Sequence, residues 1–214
     1  MKKFIQISVG FLSVVGIVAV LVHLFQVTPP KGMAIPPGPE WFSEQLPRYK
    51  EHPILEHVHI LLGGFFILAA LVQFQPSVRA RYIRIHRILG RLVVIAALLM
   101  GASGFMLGML IPFGGFPERI VVAAGAGLFL YSLLRAFYHV RRKQIPQHRE
   151  WMMRCFSIGL GVAGNRVLDG LLYPLQLVPD RDLFWITLLL AWVICLSATE
   201  VWIRKTRPQF RPGF

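Results

Sequence analysis

Two short stretches set a histidine and an arginine side by side at the entrance to a long apolar run: HRILGR from His86 and HREWMMR from His148. Neutral imidazoles from two facing helices hold b-type haem in four-helix membrane cytochromes, and nearby arginines satisfy the propionates. On that chemistry His86 and His148 are the axial pair, with His139 at the same level. Arg87, Arg91, Arg149 and Arg154 are then the propionate partners, and Glu150 and Glu200 complete the charged set. A plainer reading stands beside it. A His-Arg pair at a membrane boundary caps a helix or meets lipid phosphate, and both histidines precede their apolar runs, whereas haem ligands ordinarily sit deeper.

A second constellation lies toward the other ends of these runs: Glu56, His57 and His59, with Asn165, Arg166, Asp169 and Tyr173. Arg166 and Asp169 are three residues apart and share a helix face, so they can pair. Counted from Trp151, Arg166 lies roughly 20 Å along a helix rising about 1.5 Å per residue, at apolar depth and near the level of His59. The group suits a polar ligand or a quinone ring, with His59 as proton partner and Asn165 or Arg166 as donors. It equally suits a buried ion pair that fixes helix rotation. Arg135, with Gln73 and Gln75, reads as a side chain snorkelling toward the boundary.

Other chemistries lack their residues. There is no H-x-x-x-H or H-x-x-H-H box, and His57-Val58-His59 is the one close histidine pair, so no metal site is expected. Cys155 and Cys195 lie within apolar runs without zinc or redox spacing. Neither a glycine-rich phosphate loop nor a nucleophile triad is present, which leaves a hydrolase unsupported.

The elements that must position these residues are membrane helices. The chain of 214 residues is 55% hydrophobic and 15% charged, with a mean hydropathy of +0.58, too apolar for a soluble domain. Six runs reach the roughly 20 residues that a hydrocarbon core requires: Phe4 to Val27, Ile54 to Gln75, Ile88 to Ile111, Arg119 to Val140, Trp151 to Tyr173 and Leu183 to Ile203. The first exceeds a signal-peptide core and lacks an A-x-A site, so it reads as an uncleaved anchor. The expected organisation is an N-terminal anchor (1–27), an external proline-rich loop (28–53), a four-helix core (54–173), and a sixth span with a basic tail (174–214). Trp41, Phe42 and Tyr49 would rest that loop on the membrane surface.

The net charge of +13 is explained by its placement. Lys2, Lys3, the arginines from Arg79 to Arg91, those from Arg141 to Arg154, and Arg204 to Arg211 all fall on one side of a six-span topology. Basic loops mark the cytoplasmic side, so both termini are expected inside a bacterial inner membrane. The arginines answer to topology and the anionic bilayer surface, and nucleic acid is not implied.

The core runs read as two related hairpins. A shift of 62 residues lays Gly63 on Gly125, Leu71 on Leu133, Val78 on Val140, Arg79 on Arg141, Arg81 on Lys143, His86 on His148 and Arg87 on Arg149. Gly101, Gly104, Gly108, Gly125, Gly127, Gly159, Gly161 and Gly164 allow close helix packing in lipid, or alternatively a smooth wall for a flat ligand.

The segment from His59 to Arg91, with Gly63-Gly64, the Gln73-Phe74-Gln75 exit, an R-x-R loop and HR-x-x-GR, followed by HR-x-WM-x-R from His148, resembles a bacterial multi-pass membrane family known only as domain of unknown function 2306. The resemblance spans about His57 to Arg166. It implies a membrane location and a helical fold, and no activity. The chain is therefore expected to be an all-α membrane bundle with His86 near His148 at one edge and His59 near Arg166 at the other. Three function classes fit: a redox or redox-assembly protein binding haem b or quinone, a small-molecule or ion transporter, and a noncatalytic scaffold.

Overall fold

The computed structural model describes residues 2–27 and 47–207. Among these the long elements are all helices: α1 (Lys2–Val27), α2 (Pro53–Gln73), a short α3 (Pro76–Arg81), α4 (Ile83–Leu110), α5 (Gly115–Arg141), α6 (Ile145–Leu172) and α7 (Asp180–Thr206), with a 3-10 turn at Tyr173–Leu175. Proline sits in the first turn of α2, α3 and α6, where its missing N–H costs no intrahelical bond. Trp41 and Phe42 of the expected external loop lie outside the described residues. Residues 47–51, which carry Tyr49, are helical.

α1, α2, α4, α5 and α7 are long and apolar enough to cross a membrane. α6 is as long as α4 but carries Arg149, Glu150, Arg154, Arg166 and Asp169. Its surroundings explain the difference. α6 packs against α1, α2, α5 and α7, so little of it faces lipid and its polar residues meet protein. α4 packs against α2 and α5 and turns Leu92, Ile95 and Leu99 outward.

The internal repeat is visible in the helix boundaries. α4 and α6 each have 28 residues, and their first residues, Ile83 and Ile145, and last residues, Leu110 and Leu172, are related by the same 62-residue shift. The shift also takes Pro53, which starts α2, to Gly115, which starts α5. The halves differ in one place. α5 continues unbroken to Arg141, whereas the first half is interrupted by Pro76, which lacks an N–H and excludes the helical conformation from the residue before it. Gln75 is accordingly extended, at φ −70° and ψ 125°. The helices also start several residues before the apolar runs, so His86 and His148 lie in the first turns of α4 and α6.

At the centre, Phe66 meets Phe129 edge-on, with ring centroids 5.7 Å apart, and Phe156 tilts against Phe66 at 6.1 Å. The glycines admit the protein's own side chains. Trp192 of α7 lies in a slot formed by Gly125 and Gly161, where a Cβ on Gly125 would come within 2.0 Å of the indole and one on Gly161 within 2.2 Å. The indole N–H donates to the Ile158 carbonyl at 3.0 Å. Gly125→Ala should therefore overpack the slot and lower stability by about 1–3 kcal/mol. Gly127→Ala, whose Cβ meets nothing within 4 Å, should be neutral; thermal unfolding in detergent compares the two.

Candidate functional site

At the end of the bundle opposite the basic loops, two adjoining cavities of about 210 and 310 Å³ open between the helices. Both are lined by His23, Tyr49, His59, Met100 and Arg166. The smaller reaches inward past Glu118 and Asn165 to Phe129 and Trp192. The larger runs along α1 past Gly16, Ala19 and Val20 toward Phe66 and Ile67. The cavity system is thus polar where the two chambers meet and apolar along its length.

His59 has a defined tautomer. Its Nδ1 lies 2.9 Å from the Met100 carbonyl, which can only accept, so Nδ1 carries the proton and Nε2 holds the lone pair. Nε2 has no hydrogen bond among the described residues. Gly104 makes room for the ring, since a Cβ there would come within 2.5 Å of it. Arg166 stacks over Phe184 with its guanidinium 5.6 Å from the ring centroid, and its Nη1 is 3.9 Å from Asp169 Oδ2. Asp169 is tied across to α7: the Thr187 hydroxyl donates to it and accepts from the Asn165 amide at 2.8 Å. Asn165 and Thr187 are fully buried.

Two carboxylates close this end. Glu56, 1% exposed, accepts from Nε2 of His23 at 2.7 Å and lies 2.6 Å from Nδ1 of His57. Glu118, the equivalent residue under the 62-residue shift, accepts the Gly114 backbone N–H at 2.6 Å. Both stand in first turns, where the helix dipole favours negative charge. Tyr49 packs edge-on against His23 at 5.3 Å. Burial pushes its phenol up to about 12, so it remains a protonated hydrogen-bond donor at neutral pH.

The basic end is differently engaged. His139 donates from Nδ1 to Gln144 at 2.6 Å and accepts from Arg135 at Nε2, 3.4 Å away. His148 donates from Nδ1 to the Ala136 carbonyl at 2.9 Å, which leaves Nε2 unprotonated. His86 keeps a buried Nδ1 without a hydrogen-bond partner among the described residues, and it lies near Arg79, Arg87 and His148. Arg154 grips Glu200 through two bonds of 2.5 and 3.0 Å, and Arg149 donates to Thr206 at 2.9 Å. Arg87 and Arg91 are exposed. Arg135 stands among Tyr131, Tyr138 and Trp151, 5.3 Å from the centroid of the last, an arrangement suited to cation–π attraction. None of these histidines lines either cavity.

The structure thus brings His59, Asn165 and Arg166 to one cavity, with Asp169 behind them, and leaves His86 and His148 as neighbours apart from it. Sequence reasoning missed His23 and Glu118. His23 is the one ionisable residue in the long apolar stretch of α1, and Glu118 could have been found by extending the repeat to Glu56. Among the described residues no group of three or more His, Cys, Asp or Glu is arranged to hold a metal ion.

A family model described as "Predicted membrane protein (DUF2306)" matches residues 57–203. No curated protein and no solved structure matches the chain.

Thr187 is the joint between α6 and α7 in this region. Thr187→Val should cost about 0.5–2 kcal/mol, the scale of interhelical hydrogen bonds in membranes and of buried partners left unmet. Thr187→Ser should retain most of it, as judged by unfolding in detergent.

Proposed function

The chain belongs to the DUF2306 family of predicted membrane proteins, and we propose that it is a membrane redox protein that binds a quinone ring between His59 and Arg166. The observation that carries this reading is the lone pair on His59 Nε2, fixed by the bond from Nδ1 to the Met100 carbonyl, at the polar end of a cavity that is apolar along its length. A quinone offers two carbonyl oxygens on a flat apolar body. Arg166 and Tyr49 supply donors to the oxygens, and His59 accepts from the hydroxyl of the reduced form, while the Asn165 amide is already engaged with Thr187 and the Phe184 carbonyl. The chamber along α1, at about 310 Å³, is at the lower end of small-molecule sites and leads an apolar tail toward the bilayer. With basic loops on the cytoplasmic side of a bacterial inner membrane, the ring would sit near the external face and both termini inside.

Haem b on His86 and His148 is the weaker reading, because Arg149 and Arg154, its propionate partners, already hold Thr206 and Glu200. Transport draws support from Glu56, Glu118 and Asp169, three buried acids at the same end. Purified protein in lipid nanodiscs, titrated with decylubiquinone and followed by tryptophan fluorescence, tests the proposal. Saturable binding is expected, weakened at least about tenfold, some 1.4 kcal/mol, in His59→Ala and Arg166→Met proteins that remain folded. Absence of saturable binding overturns it. A Soret band in the purified protein, lost in His86→Ala, would favour haem, and counterflow blocked by Asp169→Asn would favour transport.

A further inference from the structure

Glu56 differs from the other buried acids in what surrounds it. It stands in the first turn of α2, is 1% exposed, and is flanked by imidazoles from two elements: His23 of α1 at 2.7 Å from Oε1 and its neighbour His57 at 2.6 Å from Oε2. His57 is 35% exposed at the end of α2, whereas His23 and Glu56 line the cavity. The Nδ1 proton of His57 points to the Pro53 carbonyl at 2.7 Å, and Oε2 of Glu56 receives no aligned hydrogen bond. A buried carboxylate oxygen left without a donor is costly, and a proton satisfies it. A small rotation of the His57 ring would turn its N–H from Pro53 to that oxygen.

We propose that His57, Glu56 and His23 form a proton-transfer file between the surface at the start of α2 and the cavity. This deepens the quinone reading, on which the identity of the final acceptor rests, by assigning the route by which the ligand exchanges protons. His57 takes a proton from water at Nε2 and releases its Nδ1 proton to Oε2 of the ionised Glu56. Rotation of the carboxyl group carries that proton to the Oε1 side, where Nε2 of His23 accepts it when His23 is the Nδ1–H tautomer, and His23 releases its Nδ1 proton to the cavity. Rotation of the carboxyl group and tautomer exchange of the two rings restore the starting state. One proton enters and one leaves, with no net change in the three groups. Both contacts are within the reach that general acid–base transfer needs. The groups facing the file from the surrounding elements are His59 on α2, Tyr49, and Arg166 on α6, with Glu118 of α5 beyond Tyr49.

The file can be tested without any ligand. The protein in nanodiscs is transferred into deuterated buffer at a series of acid to neutral pH values, and the protonated-carboxyl band is followed by time-resolved infrared difference spectroscopy. A band absent from Glu56→Gln identifies the carboxyl. Its exchange is expected to slow roughly a hundredfold in His57→Ala, the low end of what a positioned proton-transfer group contributes. His57 is partly exposed, so this variant reports on the route even if Glu56→Gln proves poorly folded. No carboxyl band that both exchanges and responds to these variants, or exchange at the wild-type rate in His57→Ala, overturns the file. Added decylubiquinone separates the two proposals. A shifted Glu56 band supports both, whereas His57-dependent exchange with no response to decylubiquinone keeps the file and removes the quinone.

Discussion

Lipid offers no hydrogen bonds, and the architecture follows from how one helix escapes that constraint. α6 carries five charged residues and would be a poor lipid-facing span. It becomes acceptable because α1, α2, α5 and α7 surround it, so that Arg154 finds Glu200, Arg149 finds Thr206, and Asn165 and Asp169 find Thr187. The lipid-facing helices are then free to be almost wholly apolar.

The repeat makes the site asymmetric by substitution at equivalent places. Under the 62-residue shift, His59 corresponds to Val121 and Gly104 to Arg166. In the first half a histidine on the leading helix lies against a glycine on the returning helix. In the second half the leading helix keeps an apolar residue and the returning helix supplies the arginine. Two similar hairpins thus meet with one imidazole and one guanidinium on the same cavity.

Much of the frame was legible in the sequence, because hydropathy records which residues lipid tolerates. The repeat was legible too, and the shared boundaries of α4 and α6 are its structural counterpart. The apolar runs begin several residues after the helix starts, since helices continue past the hydrocarbon and the polar residues there carry no apolar signal. His86 and His148 therefore precede the runs yet lie within the first turns of their helices. The meeting of His59, Asn165 and Arg166 was legible from depth along the helices. The partner of Glu56 was not: His23 is 33 residues away on α1, and no local pattern says which face of one apolar helix will meet the start of another. The engagement of Arg149 and Arg154 was hidden for the same reason, because their partners lie 57 and 46 residues away on α7.

Glu56 and Glu118 offer an internal comparison of what a buried first-turn acid can do. Both occupy the same position in equivalent helices, both are almost completely buried, and both gain from the dipole of their helix. Glu118 accepts the Gly114 N–H, a backbone donor that cannot give its proton away, so the contact fixes the turn between α4 and α5. Glu56 meets two imidazoles instead, each with one ring nitrogen that donates and one that accepts, one toward the surface and the other toward the cavity. Helix capping alone explains Glu118. It does not explain why Glu56 is set between an imidazole of its own helix and one of α1, and the proton-transfer file does.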